Sequence, residues 1–145
     1  MGNDFKSQWD EACEAAFLTL KQRLVTYPVL QRPNSHFKKV LHTDYCDKGV
    51  GCVLAQIDEK GEEHPIFYAS KTCNGAESRY SATEGECLAV LWAVTKYRPY
   101  LIGQRFTVIT DHSALVWLFN NRQLSGKLTR WVLRLQEFDF EIKHR

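Results

Sequence analysis

Nowhere in this chain of 145 residues does an apolar run approach the roughly 20 residues that a bilayer span requires. The opening Met1-Gly2-Asn3-Asp4 has neither the basic stretch nor the apolar core of a secretory signal. Both absences point to a soluble chain kept inside the cell, in cytoplasm, nucleus or an assembled particle, with no membrane partner. The five cysteines, at 13, 46, 52, 73 and 87, are odd in number and form no CxxC pair, which excludes a small secreted disulfide scaffold. Strong net charge is lacking too. A formal balance of +2 and a pI near 8.3 exclude binding to a polyanion by bulk charge, so any such contact must come from a local patch. There is no internal repeat and no low-complexity tract.

What is present is enough apolar residue, 44% of the chain, to bury one core. The first element opens at Ser7 with Asp10 three residues on. It carries Trp9, Cys13, Ala16, Phe17, Leu20 and Leu24 at helical spacing, and Pro28 closes it. Pro33, Asn34 and Ser35 then mark a loop, so residues 1–36 read as an appended helix and linker and residues 37–145 as the main domain. Lys39 to Asp44, Val50 to Gln56 and Pro65 to Ser70 are rich in β-branched and aromatic residues and are spaced as an antiparallel meander. Ser81 with Glu84 forms a capping box for a helix that runs to Arg98 and ends at Pro99. A strand over Arg105 to Asp111, a helix over Ser113 to Phe119, a helix over Gly126 to Glu137 and an alternating strand over Phe138 to Lys143 complete the order. Hairpins followed by α/β alternation predict an α/β fold with a mixed sheet, antiparallel on one side, parallel on the other, and covered by helices.

Three carboxylates stand out. Asp44 and Asp111 lie where the first and fourth strands hand over to loops. If those strands are parallel neighbours, both acids sit at one sheet edge, the usual site location in open α/β sheets. Glu86 shares a helix face with Ala89, Val90, Ala93 and Tyr97 and so points toward the sheet. Taken singly, Asp111 can be an N-cap, Asp44 a turn residue and Glu86 a first-turn acid suited to the helix dipole. Together they would repel one another, and a divalent cation is the simplest relief. All-oxygen ligands without a His/Cys cluster favour Mg²⁺ or Mn²⁺ over zinc.

The strings around these residues, LHTDYCDKGVGCVLAQ, HPIFYASK, YSATEGECLAVLWAVTKYRPYL, FTVITDHSALVWL and RWVLRLQEFDFEIKHR, resemble in order and spacing the ribonuclease H region of gypsy-type LTR retrotransposon polyproteins. SQWDEACEAAFLTLKQRLVTYPVL resembles the stretch that joins the polymerase domain to it. The resemblance implies a ribonuclease H-like fold with a five-stranded mixed sheet, and cleavage of the RNA strand of an RNA/DNA hybrid as part of a reverse transcriptase. It also implies two Mg²⁺ ions (or Mn²⁺) held by Asp44, Glu86 and Asp111, and an adjoining polymerase domain as partner. Three departures stand against it, the third being Cys52, Cys73 and Cys87 in place of commoner apolar residues. The family's fourth aspartate and C-terminal helix would lie beyond Arg145, which raises the alternative of a catalytically weak remnant that serves as a nucleic-acid-binding or structural module. Tyr45-Cys46 stands where small residues are usual, which would put a bulky ring beside the metals. Cys52, Cys73 and Cys87 are expected as buried packing residues.

Between His112 and Gln136 there is no acidic residue, whereas Arg122, Lys127, Arg130 and Arg134 fall there. Lys127, Arg130 and Arg134 share a helix face opposite Leu128, Val132 and Leu135. It can track a phosphate backbone or be an ordinary solvated face. His112 is read as a capping or supporting residue rather than a base, and Trp117, Phe119 and Trp131 as core.

Overall fold

Alternating apolar and polar residues from position 38 build three antiparallel strands in the computed structural model, which describes residues 9–26, 30–120 (117–120 as backbone only) and 126–145. These are β1 (Lys38–Tyr45), β2 (Gly49–Ile57) and β3 (Glu63–Thr72). Each is longer at both ends than its apolar pattern suggests, because main-chain pairing continues into the turns. The β1–β2 turn closes on reciprocal bonds between Cys46 and Gly49, at 2.9 and 3.2 Å. Gly49 is needed for close approach, since a Cβ there would stand 2.9 Å from the Lys71 carbonyl oxygen. In the β2–β3 turn Asp58 Oδ1 accepts from the N–H groups of Lys60 and Glu62, at 2.8 and 2.9 Å. Gly61 supplies the left-handed residue there, with φ +83°.

The remaining strands are β4 (Phe106–Thr110) and β5 (Phe140–His144), and the sheet order among the described residues is β3-β2-β1-β4-β5. β1 pairs with β2 and β2 with β3 antiparallel; β1 pairs with β4 and β4 with β5 parallel. This is the mixed sheet that the sequence predicts.

The central helix α2 (Ala82–Lys96) starts at the predicted capping box. The Ser81 side chain accepts from the Glu84 N–H, and the Glu84 carboxylate accepts from the Ser81 N–H at 3.0 Å. It stops at Lys96 rather than Arg98. Pro99 does not end it but sits in the first turn of a separate helix, α3 (Arg98–Leu101), where a missing N–H costs nothing. Two further helices follow, α4 (Ser113–Asn120) and α5 (Lys127–Leu135). The last strand begins at Phe140 and not at Phe138. The Phe138 N–H donates to the Leu135 carbonyl at 3.0 Å, and its ring meets Phe106 edge-on at a centroid distance of 6.3 Å.

Leu41, Cys52, Leu54 and Val108 of the sheet pack with Cys87, Val90, Ala93 and Val94 of α2, joined by Leu101, Leu115 and Leu135. Burial of this apolar surface is the main stabilising term, at about 25 cal/mol per Å² removed from water. Buried polar groups tie the approach to β1. Lys39 Nζ donates to the carbonyls of Asn34 and Phe37, at 2.5 and 2.6 Å, and Gln56 bonds the Asn34 N–H and the Arg32 carbonyl, at 2.9 and 3.0 Å. Burial lowers the pKa of Lys39, and the carbonyl partners are what it receives in exchange for water.

The chain divides into two compact units, Met1–Gln31 and Arg32–Arg145. In the first, helix α1 (Glu11–Val25) is capped by Asp10, whose side chain accepts from the Cys13 N–H at 2.8 Å. The helix therefore starts later than Ser7, which lies outside the described residues. Its apolar stripe, including Phe17, Leu20 and Leu24, is exposed. Among the described residues no helix is long and apolar enough to cross a membrane.

Because the capping box starts the helix that carries Glu86, Ser81→Ala is expected to destabilise the chain by about 1 kcal/mol. Urea denaturation checks this, and an unchanged midpoint would show that the cap is not used.

Candidate metal centre

The parallel pairing of β1 and β4 ends at His42 opposite Ile109. Asp44 and Asp111 each lie two residues beyond that pair, so both carboxylates emerge at the same edge. Glu86 comes from the second turn of α2, which packs on β1. One carboxylate oxygen from each of Asp44, Glu86 and Asp111 lies within 4.8 Å of the other two. Asp44 and Asp111 are exposed and open on a cleft of about 720 Å³ that also takes in His42, Tyr68 and Arg145. Glu86 is only 6% exposed.

Glu86 carries the electrostatic signature of the site. Its Oε2 is buried and has no hydrogen-bond partner. Burial, reinforced by the neighbouring charges of Asp111 and Asp44, pushes its carboxyl up to about 7, against the opposing pull of the Tyr45 N–H and the Thr110 hydroxyl. Among the described residues no Lys or Arg forms an ion pair with any of the three acids. Three converging acids, one buried with an unpartnered oxygen, suit a divalent cation bound through hard oxygen ligands.

Sequence reasoning missed part of the surroundings. His144 Nε2 lies 2.9 Å from the Asp111 carbonyl oxygen, which ties the end of β5 to the site. His112 supports the site as expected. Its Nε2 is 3.0 Å from the Thr83 hydroxyl in the first turn of α2, and its N–H meets the Thr110 hydroxyl at 3.2 Å. The Tyr45 ring lies against Gly85, and its hydroxyl donates to the Glu77 carbonyl at 2.6 Å. A glycine inside a helix, next to the acid, was the available signal for this contact. Cys52 and Cys87 are buried as expected, with burial pushing the Cys87 thiol up to about 12. Cys73 is not a core residue. It is half-buried at a turn, with its thiol 3.6 Å from the Cys46 carbonyl oxygen.

The predicted basic face is only partly free. Lys127 Nζ is 3.1 Å from Glu84 and 3.7 Å from the centre of the Tyr80 ring, so its charge is engaged. Arg130 and Arg134 are exposed on α5. Trp131 is half-buried, packed against the edge of the core and against Tyr80. Arg122, and the side chains of Trp117 and Phe119, lie outside the described residues. A second grouping, Asp58, Glu62 and His64, also brings ligand atoms together, but there Asp58 is occupied in shaping the β2–β3 turn.

The family model for the RNase H-like domain found in reverse transcriptase matches residues 34–138. The chain is 38% identical over 137 residues to the retrovirus-related Pol polyprotein from transposon 412 of Drosophila melanogaster, covering 94% of the chain and 11% of that protein. It is 41% identical over 129 residues to the corresponding polyprotein from transposon 297, covering 89% of the chain and 12% of that protein. The chain thus spans about a tenth of the length of these relatives. Among solved structures, the native protease-reverse transcriptase of prototype foamy virus superposes with a TM-score of 0.68 at 17% identity, over 93% of this chain and 19% of that one. LC11-RNase H1, solved in complex with an RNA/DNA hybrid, superposes with a TM-score of 0.56 at 15% identity, over 74% of this chain and 85% of that one. At these identities the two structures establish the fold.

The raised carboxyl of Glu86 sets a pH dependence. Its ordinary value is 4.5 and its folded value about 7. Between the two the metal-free folded state holds more protons than the unfolded chain. This contribution to stability is therefore full below pH 4.5 and lost as pH rises through 7. The loss is on the order of 3 kcal/mol. Glu86→Gln, which stays neutral, is expected to remove that slope and raise the melting temperature in chelator at pH 8. A variant that melts no higher than the parent would count against the electrostatic cost.

Proposed function

The chain belongs to the family of RNase H-like domains found in reverse transcriptase, and from that premise we propose that it is the ribonuclease H of a retroelement polyprotein, cutting the RNA strand of an RNA/DNA hybrid. The observation that carries this reading is the buried, unpartnered Oε2 of Glu86 in a helix aimed at the parallel edge where Asp44 and Asp111 emerge. Those three residues hold the metal, two Mg²⁺ ions or Mn²⁺ in their place. When bound, the ions supply Lewis acidity that activates water and stabilises the leaving 3′ oxygen. Glu86, fixed by α2, sets the inner wall of the site, while Asp44 and Asp111 face the cleft from which substrate arrives. The choice of the RNA strand rests on its 2′-hydroxyls, which distinguish it from DNA.

Arg130 and Arg134, with Arg122, supply the phosphate contacts that hold the hybrid in register, while Lys127, engaged by Glu84, braces α5 against the start of α2. Residues 1–36 act as the connection to an adjoining polymerase domain, and the protein works inside the cell, in cytoplasm, nucleus or a retroelement particle.

A hybrid labelled on its RNA strand is expected to be cut in Mg²⁺ or Mn²⁺, with Asp44→Asn slower by on the order of a hundredfold or more. Cleavage no faster than that control would sink the reading as an active nuclease. In a binding assay without divalent metal, replacing Arg130 and Arg134 together by Ala is expected to weaken hybrid binding and make its logarithmic salt slope shallower by about two. An unchanged slope would remove α5 from the interface.

A further inference from the structure

Asp44 is followed by Tyr45, and Glu86 is preceded by Gly85. A side chain built at Gly85 would place its Cβ 2.1, 2.2 and 2.4 Å from the Cε1, Cδ1 and Cζ atoms of the Tyr45 ring. The ring occupies the volume that any other residue at position 85 would need. Gly85 has no positive φ, and its N–H makes the ordinary helical bond to the Ser81 carbonyl at 2.8 Å. Backbone freedom therefore does not explain it. Glycine in a helix interior is unfavourable relative to alanine, and what it provides here is room.

The ring is held at its far end as well. The Tyr45 hydroxyl donates to the Glu77 carbonyl at 2.6 Å, in the 3-10 turn Glu77–Arg79 that leads into the N-cap of α2. That turn is itself anchored: the Glu77 carboxylate accepts from Lys71 Nζ at 2.5 Å and from the Asn74 N–H at 3.1 Å. The end of β1 thus meets the start of α2 through a ring and a hydroxyl, at residues adjacent to two of the three acids.

We propose that Tyr45 and Gly85 are a pair of positioning residues for the metal centre: the ring seated on the bare helix backbone sets the spacing between Asp44 and Glu86 at which both reach one cation. The inference rests on the metal-binding reading above. Neither residue offers a ligand to the metal. Each acts through its neighbour in sequence, and the two are coupled because one fills the space that the other leaves.

The test is Mn²⁺ binding to the full chain, read from the electron paramagnetic resonance signal of free Mn²⁺, with far-UV circular dichroism and melting temperature recorded alongside. Gly85→Ala and Tyr45→Ala are each expected to weaken Mn²⁺ binding by roughly tenfold to a hundredfold, the range for groups that orient metal ligands. The double variant Tyr45→Ala/Gly85→Ala, in which a methyl group enters the vacated space, is expected to bind Mn²⁺ more tightly than Gly85→Ala. A double variant whose loss equals the product of the two single losses overturns the proposal, as does a folded Gly85→Ala that binds Mn²⁺ like the parent. If Gly85→Ala does not fold, the double variant is expected to fold and bind Mn²⁺, and its failure to do so overturns the proposal equally. A parent chain that does not bind Mn²⁺ overturns the metal-centre reading and this inference with it. Parent binding with unaltered variants overturns this inference alone.

Discussion

Parallel pairing between β1 and β4 is the constraint from which the site follows. Two strands remote in sequence run in the same direction with Leu41 opposite Val108 and His42 opposite Ile109. Continuing that register by two residues brings Asp44 beside Asp111 at the end where the chain leaves the sheet. Had the two strands paired antiparallel, the acids would stand at opposite ends. The crossover that makes parallel pairing possible runs through α2, and the same helix delivers Glu86. One topological choice therefore gathers all three acids.

The gathering is energetically adverse until a cation compensates it. Glu86 sits on a helix otherwise devoted to the core, among Cys87, Ala89 and Val90, each fully buried. Its neighbours at the strand ends are acids and not bases, so burial and repulsion act in the same direction. A protein selected for stability alone would place an apolar residue or glutamine there. Strain of this kind, localised and surrounded by a well-packed core, is characteristic of sites retained for chemistry. The capping box at Ser81, the Thr83–His112 contact and the Tyr45 ring on Gly85 all brace the same end of α2. They keep the helix in place against the repulsion it brings.

At the other end of the proposed interface, charge is arranged less simply than a helical wheel suggests. Lys127 belongs to the same face as Arg130 and Arg134 by periodicity, yet it leans over Tyr80 and pairs with Glu84, itself a member of the capping box. The lysine links α5 to the start of α2 as well as adding positive charge. Screening by salt would weaken the exposed arginines before it weakened this contact, because the ring and carboxylate already shield the ammonium.

Much of this was legible in one dimension. The alternation around Val40, Leu41, Val53 and Leu54, the glycines in the turns, the Ser81–Glu84 box and the apolar face shared by Glu86 and Val90 are local patterns, and backbone periodicity translates them directly into strands, turns and a buried helix face. The order of hairpins followed by α/β alternation was enough to anticipate a mixed sheet and three acids in one region. Other features could not be read that way, because they depend on atoms brought together from distant positions. Pro99 opens a helix instead of closing one because the chain breaks at Tyr97. Lys127 is neutralised by a partner 43 positions away in sequence number, from Glu84 to Lys127. Residue type and spacing determined which side chains could be ligands; only tertiary packing decided that Glu86 is left with an unpartnered oxygen and that the Tyr45 ring fills the space at Gly85, since steric fit and desolvation are properties of a three-dimensional neighbourhood.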